Sequence, residues 1–274
     1  MSSQPSYKHT LVIAGLEVHV YSAAPIIQRK QSTKELVVFF LLHKRYDSVA
    51  HVDPIARSLI ELTNGNARDL LIVAFDQRNH GKRLFNPKRN EPNERLHAVE
   101  LYATQTGTSR DITFLIDLLP TFLYPDDELH PIVEWGVAGI SLGGHATWIS
   151  LANALYDITS TIRGGQANVP LKRPRFPENF RVALQVLDPP YLVRGGENPF
   201  LGKRILVLSS RDDKLVPWEA SRQFVEEQLD VGRDGVKKVS LHEGVGHECT
   251  GAMIQEMAKF IVKHCLHKTP TARL

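Results

Sequence analysis

Residues Leu36 to Leu42 read LVVFFLL, seven consecutive apolar side chains with no polar face. Successive side chains of a strand point to opposite sides of the sheet, so a strand of this composition must be covered on both. A sheet with one wet face alternates apolar and polar instead. The run therefore predicts a central strand of a mostly parallel sheet with helices packed against both faces. Leu70–Phe75, Ile132–Ile140, Val182–Leu187, Ile205–Leu208 and Val236–Leu241 are further strand-like runs, and Thr10–Ala14 with Leu16–Tyr21 reads as an opening antiparallel pair. Helical patterns separate the central runs. One is expected with Asp53 as N-cap, Pro54 in its first turn and Gly65 at its end. Others are expected from about Ser109, over roughly His145 to Thr161, and from Pro217 to about Leu229. A final helix carries Met253, Met257, Phe260, Ile261 and His264 on one face. The expected fold class is α/β, with a sheet of about eight strands.

The 274 residues show no internal repeat and no low-complexity linker, so residues 1–274 are read as one domain. Two stretches are long for plain connections and become candidate substrate-facing loops: Asn79 to about Thr106, and Arg163 to Asn179. A formal charge of +3 is small for this length and gives no general argument for nucleic acid. Cys249 and Cys265 are expected to be separated by a helix and unable to pair, which suits a reducing compartment. The start carries no basic segment followed by an apolar one, and no apolar run is long enough for a membrane span. The last residues, Ala272-Arg273-Leu274, match a peroxisomal Ser-Lys-Leu address in residue class at each position. The expected location is peroxisomal or cytoplasmic, with the peroxisomal import receptor as a partner if that tripeptide is read.

The chemistry-bearing motif follows the Ile132–Ile140 run. Gly139-Ile140-Ser141-Leu142-Gly143 fits G-x-S-x-G, in which a sharp strand-to-helix turn projects the serine hydroxyl clear of the sheet. The flanking glycines remove side chains that would clash with the neighbouring strand and helix. The N–H of Leu142 then lies where an oxyanion would develop. An acid and a base are expected to follow in that order. After RILVL comes Ser209-Ser210-Arg211-Asp212-Asp213-Lys214-Leu215-Val216-Pro217, where Asp213 is the acid, with Asp212 its rival and Asp188 a distant third. After the last strand, Gly246-His247 supplies the base, with His242 a competitor at the strand's end.

These residues together resemble the α/β-hydrolase superfamily over roughly residues 36 to 265. The segment Asp76-Gln77-Arg78-Asn79-His80-Gly81, with Gly107-Thr108-Ser109-Arg110-Asp111 and the GISLGGHATW run, is similar to a poorly characterised group of fungal α/β-hydrolase-like proteins. The resemblance implies a Ser141–His247–Asp213 triad, and the roughly seventy residues between Ser141 and Asp213, nearly all needed for a helix and two strands, leave no room for a separate cap domain. The resemblance also implies a second oxyanion N–H from the loop after the first central strand. Many relatives carry His-Gly there, whereas this chain has His43-Lys44-Arg45, so the donor is Lys44 or Arg45. His43, Arg78 and His80 are expected to contact substrate.

The implied reaction is hydrolysis of a carboxylic ester or thioester through an acyl-enzyme. Amide, lactone or carbon–carbon hydrolysis on the same triad, and ligand binding without catalysis, are the alternatives. Basic residues Lys82, Arg83, Lys88, Arg89 and Arg95 in the first long loop, with Arg78 just before it, read either as a solvated surface or as attraction for an anionic acyl substrate such as a CoA ester. No metal-ligand cluster and no phosphate-cradling glycine loop is present in the sequence, so no cofactor or metal is expected.

Overall fold

The computed structural model describes residues 6–26, 34–125, 131–153, 158–163 (as backbone), 193 and 198–267. Eight strands form one sheet in the order β1-β2-β4-β3-β5-β6-β7-β8. These are β1 (Tyr7–Ile13), β2 (Leu16–Ser22), β3 (Leu36–Leu42), β4 (Asp69–Phe75), β5 (Ile132–Ile140), β6 (Ile158–Arg163), β7 (Arg204–Ser210) and β8 (Val236–His242). The first two pair antiparallel, β2 joins β4 antiparallel, and β3 through β8 run parallel.

All seven side chains of β3 are buried, and alternation divides them between two cores. Leu36, Val38, Phe40 and Leu42 pack with α2 (His97–Leu123) and α3 (Leu142–Asn153). Val37, Phe39 and Leu41 pack with α1 (Val49–Thr63) and α5 (Gly251–Ile261). Each such side chain contributes about 1.5–3 kcal/mol relative to exposure, which is why the run cannot sit at a wet face. Met253, Met257, Phe260 and Ile261 are buried on α5 as their spacing predicts, and His264 is half-buried with its ring 4.6 Å from that of Phe260.

Four elements depart from expectation. Helix α1 begins one turn earlier, at Val49 after Ser48, so Asp53 is not its N-cap. Asp53 instead accepts hydrogen bonds from Lys8, Tyr21 and Arg57. The first turn is capped from a distance: the N–H of Val49 donates to Asp76 Oδ1 at 2.7 Å. Helix α2 starts at His97, so the long loop after β4 ends there rather than near Thr106. Helix α3 stops at Asn153, and the β-branched run Ile158-Thr159-Ser160-Thr161-Ile162 forms β6 between β5 and β7. After Trp218 the chain forms α4 (Glu219–Arg222), then widens into a π-helical turn through Gln228.

The Val182–Leu187 run, Asp188, the loop after Arg163 and the C-terminal tripeptide lie outside the described residues. Among the described residues no helix is long and apolar enough to cross a membrane, and neither Cys249 nor Cys265 is in a disulfide.

Candidate active site

The turn between β5 and α3 is strained at one residue. Ser141 has φ +55°, a conformation that costs a non-glycine residue on the order of 1–3 kcal/mol. The glycines around it are required by close approach. A Cβ on Gly139 would lie 2.2 Å from the carbonyl of Gly143, and one on Gly143 would lie 2.6 Å from the carbonyl oxygen of Leu42. The His145 N–H donates to Ser141 O at 3.0 Å, so the helix starts directly from the serine. Leu142 is the first helical residue, and its N–H has no intrahelical acceptor.

The expected acid and base, Asp213 and His247, follow the ends of β7 and β8, which are stitched together beyond the sheet. The Arg211 N–H donates to His242 O at 3.1 Å, the Gly244 N–H to Asp212 Oδ2 at 2.7 Å, and the Ser210 hydroxyl to Val245 O. This sets the loop of His247 against the loop of Asp213. His247 Nδ1 lies 2.8 Å from Asp213 Oδ2, while Asp213 Oδ1 accepts the N–H groups of Leu215 and Val216 at 3.0 and 2.9 Å. The Asp213 side chain is fully buried and that of His247 is 18% exposed. Burial raises the Asp213 carboxyl, but the Val216 N–H and His247 more than offset it, and the group sits below its ordinary value. Asp212 is thus occupied by the Gly244 N–H. His242 lies 3.3 Å from Glu256 on α5 and faces away from this pair.

Ser141 and His247 line one cavity of about 580 Å³, together with Lys44, Arg45, Tyr46, Asp47, Leu101, Gln105, Leu142, His145, Leu215 and Val216. All three residues expected to form an oxyanion hole (Leu142, Lys44 and Arg45) are therefore at the serine. His43, Arg78 and His80 are not among the lining residues, and each has structural work elsewhere. The Arg78 guanidinium pairs with Asp111 through Nε and Nη2 at 3.2 and 2.8 Å, and its stem runs against Gly107, where a Cβ would meet it at 2.5 Å. Arg83 joins the same carboxylate at 2.8 Å. The buried His80 has its Nδ1 2.9 Å from Arg78 O and its ring 5.6 Å from that of His43. The anion-attracting reading of the loop weakens accordingly, because Arg78, Arg83, Lys82 and Arg89 all face carboxylates.

His43 holds the Lys44–Arg45 segment, the expected oxyanion loop, from behind. The Gln77 N–H donates to its Nε2 at 3.0 Å, which leaves Nδ1 as the protonated nitrogen, donating to Lys44 O at 2.7 Å. A trans peptide points its C=O and N–H in opposite directions, so fixing the Lys44 carbonyl on the ring turns the Arg45 N–H away from it. The loop's left-handed residue is Tyr46, with φ +64°, whose hydroxyl donates to Asn90 O at 2.6 Å.

Two buried rings set an acid limit. Burial pushes His43 down to about 4, against the opposing pull of the Lys44 carbonyl, and burial pushes His145 down to about 4. The folded values lie below the ordinary 6.5, so the unfolded chain binds more protons between those limits. Stability is fully present above pH ~6.5 and is lost as pH falls towards ~4, by about 2 kcal/mol per ring at pH ~5. Urea unfolding across this range should show a midpoint that falls with pH. A midpoint unchanged from pH ~7 to ~5 would contradict it.

Tyr46, Asp47, Leu101, Gln105, His145, Leu215 and Val216 were not singled out as site residues from sequence. Signals for them existed: Leu101 and Gln105 share a helical face, His145 lies one turn after Ser141, and Leu215 and Val216 belong to the acid's own loop. Among the described residues no group of three metal-ligating side chains occurs.

The sheet order, the strained serine turn and the placement of Asp213 and His247 after β7 and β8 match the α/β-hydrolase fold. A structure from Thermus thermophilus, TT1662, superposes with a TM-score of 0.68 at 19% identity, covering 96% of this chain and 99% of its own. S-formylglutathione hydrolase from Agrobacterium tumefaciens gives 0.58 at 16% identity, covering 96% of each chain. The peroxisomal α/β-hydrolase Lpx1 from Saccharomyces cerevisiae gives 0.54 at 15% identity, covering all (100%) of this chain and 94% of its own. No protein-family model matches the sequence. A search of curated proteins finds no significant match either.

Proposed function

We propose that this chain is a serine hydrolase acting on a carboxylic ester or thioester, with Ser141 as nucleophile, His247 as base and Asp213 orienting that base. The observation that carries the reading is the 2.8 Å contact between His247 and Asp213 at the cavity that Ser141 also lines. His247 removes the serine proton as Ser141 attacks the carbonyl, and Asp213 holds the tautomer and stabilises the charged ring. The N–H of Leu142 and a second N–H from Lys44 or Arg45 donate to the developing oxyanion. Water activated by His247 then releases the acyl group. Structural neighbours titled as hydrolases support the class of reaction. The reading keeps a small acyl substrate as partner, CoA esters among the candidates, and a peroxisomal or cytoplasmic location.

The test is labelling with a fluorophosphonate probe, located by peptide mass spectrometry, alongside a panel of p-nitrophenyl esters and acyl thioesters. Ser141 should carry the label and Ser141→Ala should abolish both labelling and turnover. Turnover that survives Ser141→Ala sinks the proposal. A ligand bound without labelling favours the non-catalytic alternative.

A further inference from the structure

The cavity that holds Ser141 is uneven in charge. Leu101, Leu142, Leu215 and Val216 make part of it apolar, while Lys44 and Arg45 place two cations on it. The carboxylate in the lining, Asp47, is 3.0 Å from His51 Nδ1 and also accepts the Ser48 N–H at 2.9 Å. Neither Lys44 nor Arg45 forms an ion pair among the described residues, in contrast to Arg78, Arg83 and Arg89 on the adjoining loop.

Arg45 is also held in place. Its Nη1 lies 3.0 Å from Nε2 of His97, and its guanidinium lies over the Tyr46 ring at 4.7 Å from the centroid. The acceptor is a neutral ring, because burial, with the nearby Arg45 charge, lowers the His97 value despite the Arg89 carbonyl at its Nδ1. His97, Leu101 and Gln105 follow one another at i, i+4, i+8 on α2, so the anchor shares the helical face that lines the cavity. A guanidinium fixed by an uncharged acceptor and an aromatic face keeps its full charge and several donors for an incoming group.

We infer that Arg45 is a specificity residue whose guanidinium binds an anionic group, a carboxylate or a phosphate, on the substrate cleaved at Ser141. This rests on the hydrolase reading above and narrows it. The substrate is an ester or thioester with an apolar portion, lying against the leucines, and an oxyanion that meets Arg45. The planar fork suits both kinds of oxyanion, and lysine cannot reproduce its geometry.

Two matched pairs test this: mono-p-nitrophenyl glutarate against p-nitrophenyl butyrate for a carboxylate, and butyryl-CoA against butyryl-N-acetylcysteamine for phosphates. The readout is the ratio of kcat/KM within each pair, which cancels any effect of a variant on the chemical step itself. The wild type should favour the anionic member of one pair by about tenfold or more, the size of one charge-assisted contact. Arg45→Gln should bring that ratio near unity, and Arg45→Lys should restore part of it. Should Arg45→Gln not fold, His97→Leu, which releases the guanidinium, should lower the same ratio. A wild-type ratio near unity in both pairs, or one that survives Arg45→Gln, overturns the proposal. Calorimetric binding of glutarate and of CoA separates the two readings. Binding lost in Arg45→Gln with Ser141 unlabelled keeps the anion site and rejects the hydrolase. Labelling without anion preference or anion binding does the reverse.

Discussion

Replacing Asp213 by Asn should lower kcat on an activated ester by about four orders of magnitude, while Asp212→Asn leaves it within a few-fold. The asymmetry follows from the bonds each carboxylate makes. Asp213 accepts from three donors: His247 Nδ1 and the N–H groups of Leu215 and Val216. An amide has one acceptor oxygen. If that oxygen keeps the two backbone N–H groups, the NH2 faces His247 Nδ1 and forces the proton onto Nε2, the nitrogen that must accept from serine. If it turns to His247, the NH2 is pressed against two donors in a fully buried position. Asp212 accepts the exposed Gly244 N–H, a bond that an asparagine oxygen can also make. Steady-state rates of the two variants, with circular dichroism to confirm folding, decide the matter. Equal losses would remove Asp213 from its role.

The second large effect is expected at Gly143. A Cβ there meets the Leu42 carbonyl oxygen at 2.6 Å, the Leu42 Cβ at 2.7 Å and the His43 carbonyl oxygen at 2.8 Å. None of these is the free end of a flexible side chain. Gly143→Ala must therefore push the first turn of α3 away from the exit of β3, at a cost of about 2–4 kcal/mol. The same displacement separates Leu142 from Lys44 and Arg45, the two sides of the expected oxyanion hole, so turnover falls even in the fraction that folds. Thermal unfolding and kcat/KM measured on one preparation should fall together. A variant of wild-type stability would mean that the two segments are not in contact.

The sheet was legible from local signals. LVVFFLL announced a strand covered on both faces, and the serine turn was marked by glycines whose removal of Cβ atoms the geometry requires. The errors fell where a distant residue makes the decision. Nothing near Val49 shows that its N–H is capped by Asp76, 27 residues on, so Asp53 looked the better cap. The first turns of α2 mix apolar and polar residues and run into Gly107, yet His97 is tied to Arg45 and Glu100 lies 3.7 Å from Arg89. The expected helix over roughly His145 to Thr161 takes in the first residues of β6, because a short run cannot be typed without its sheet neighbours. The candidate site behaved in the same way. Order along the chain pointed to Ser141, Asp213 and His247. The partner of Arg78, Asp111, is remote in sequence, and the buried His43 ring faces a backbone carbonyl, so neither contact leaves a mark in the residue order.

Asp76 has a bearing on the order in which the molecule assembles. Its two oxygens hold the Val49 N–H and the Lys82 N–H, both at 2.7 Å, and Gly81 packs so tightly against the carboxylate that a Cβ would overlap it. The start of α1 and the turn after β4 thus share one side chain supplied by the end of the strand between them. The bond to Lys82 is local, but the bond to Val49 spans the chain between β3 and β4, and their pairing has to close a loop containing all of α1. The rim of the cavity at Lys44 to Asp47 therefore leads into a helix start that is held by a contact of long sequence separation rather than by its own local preferences.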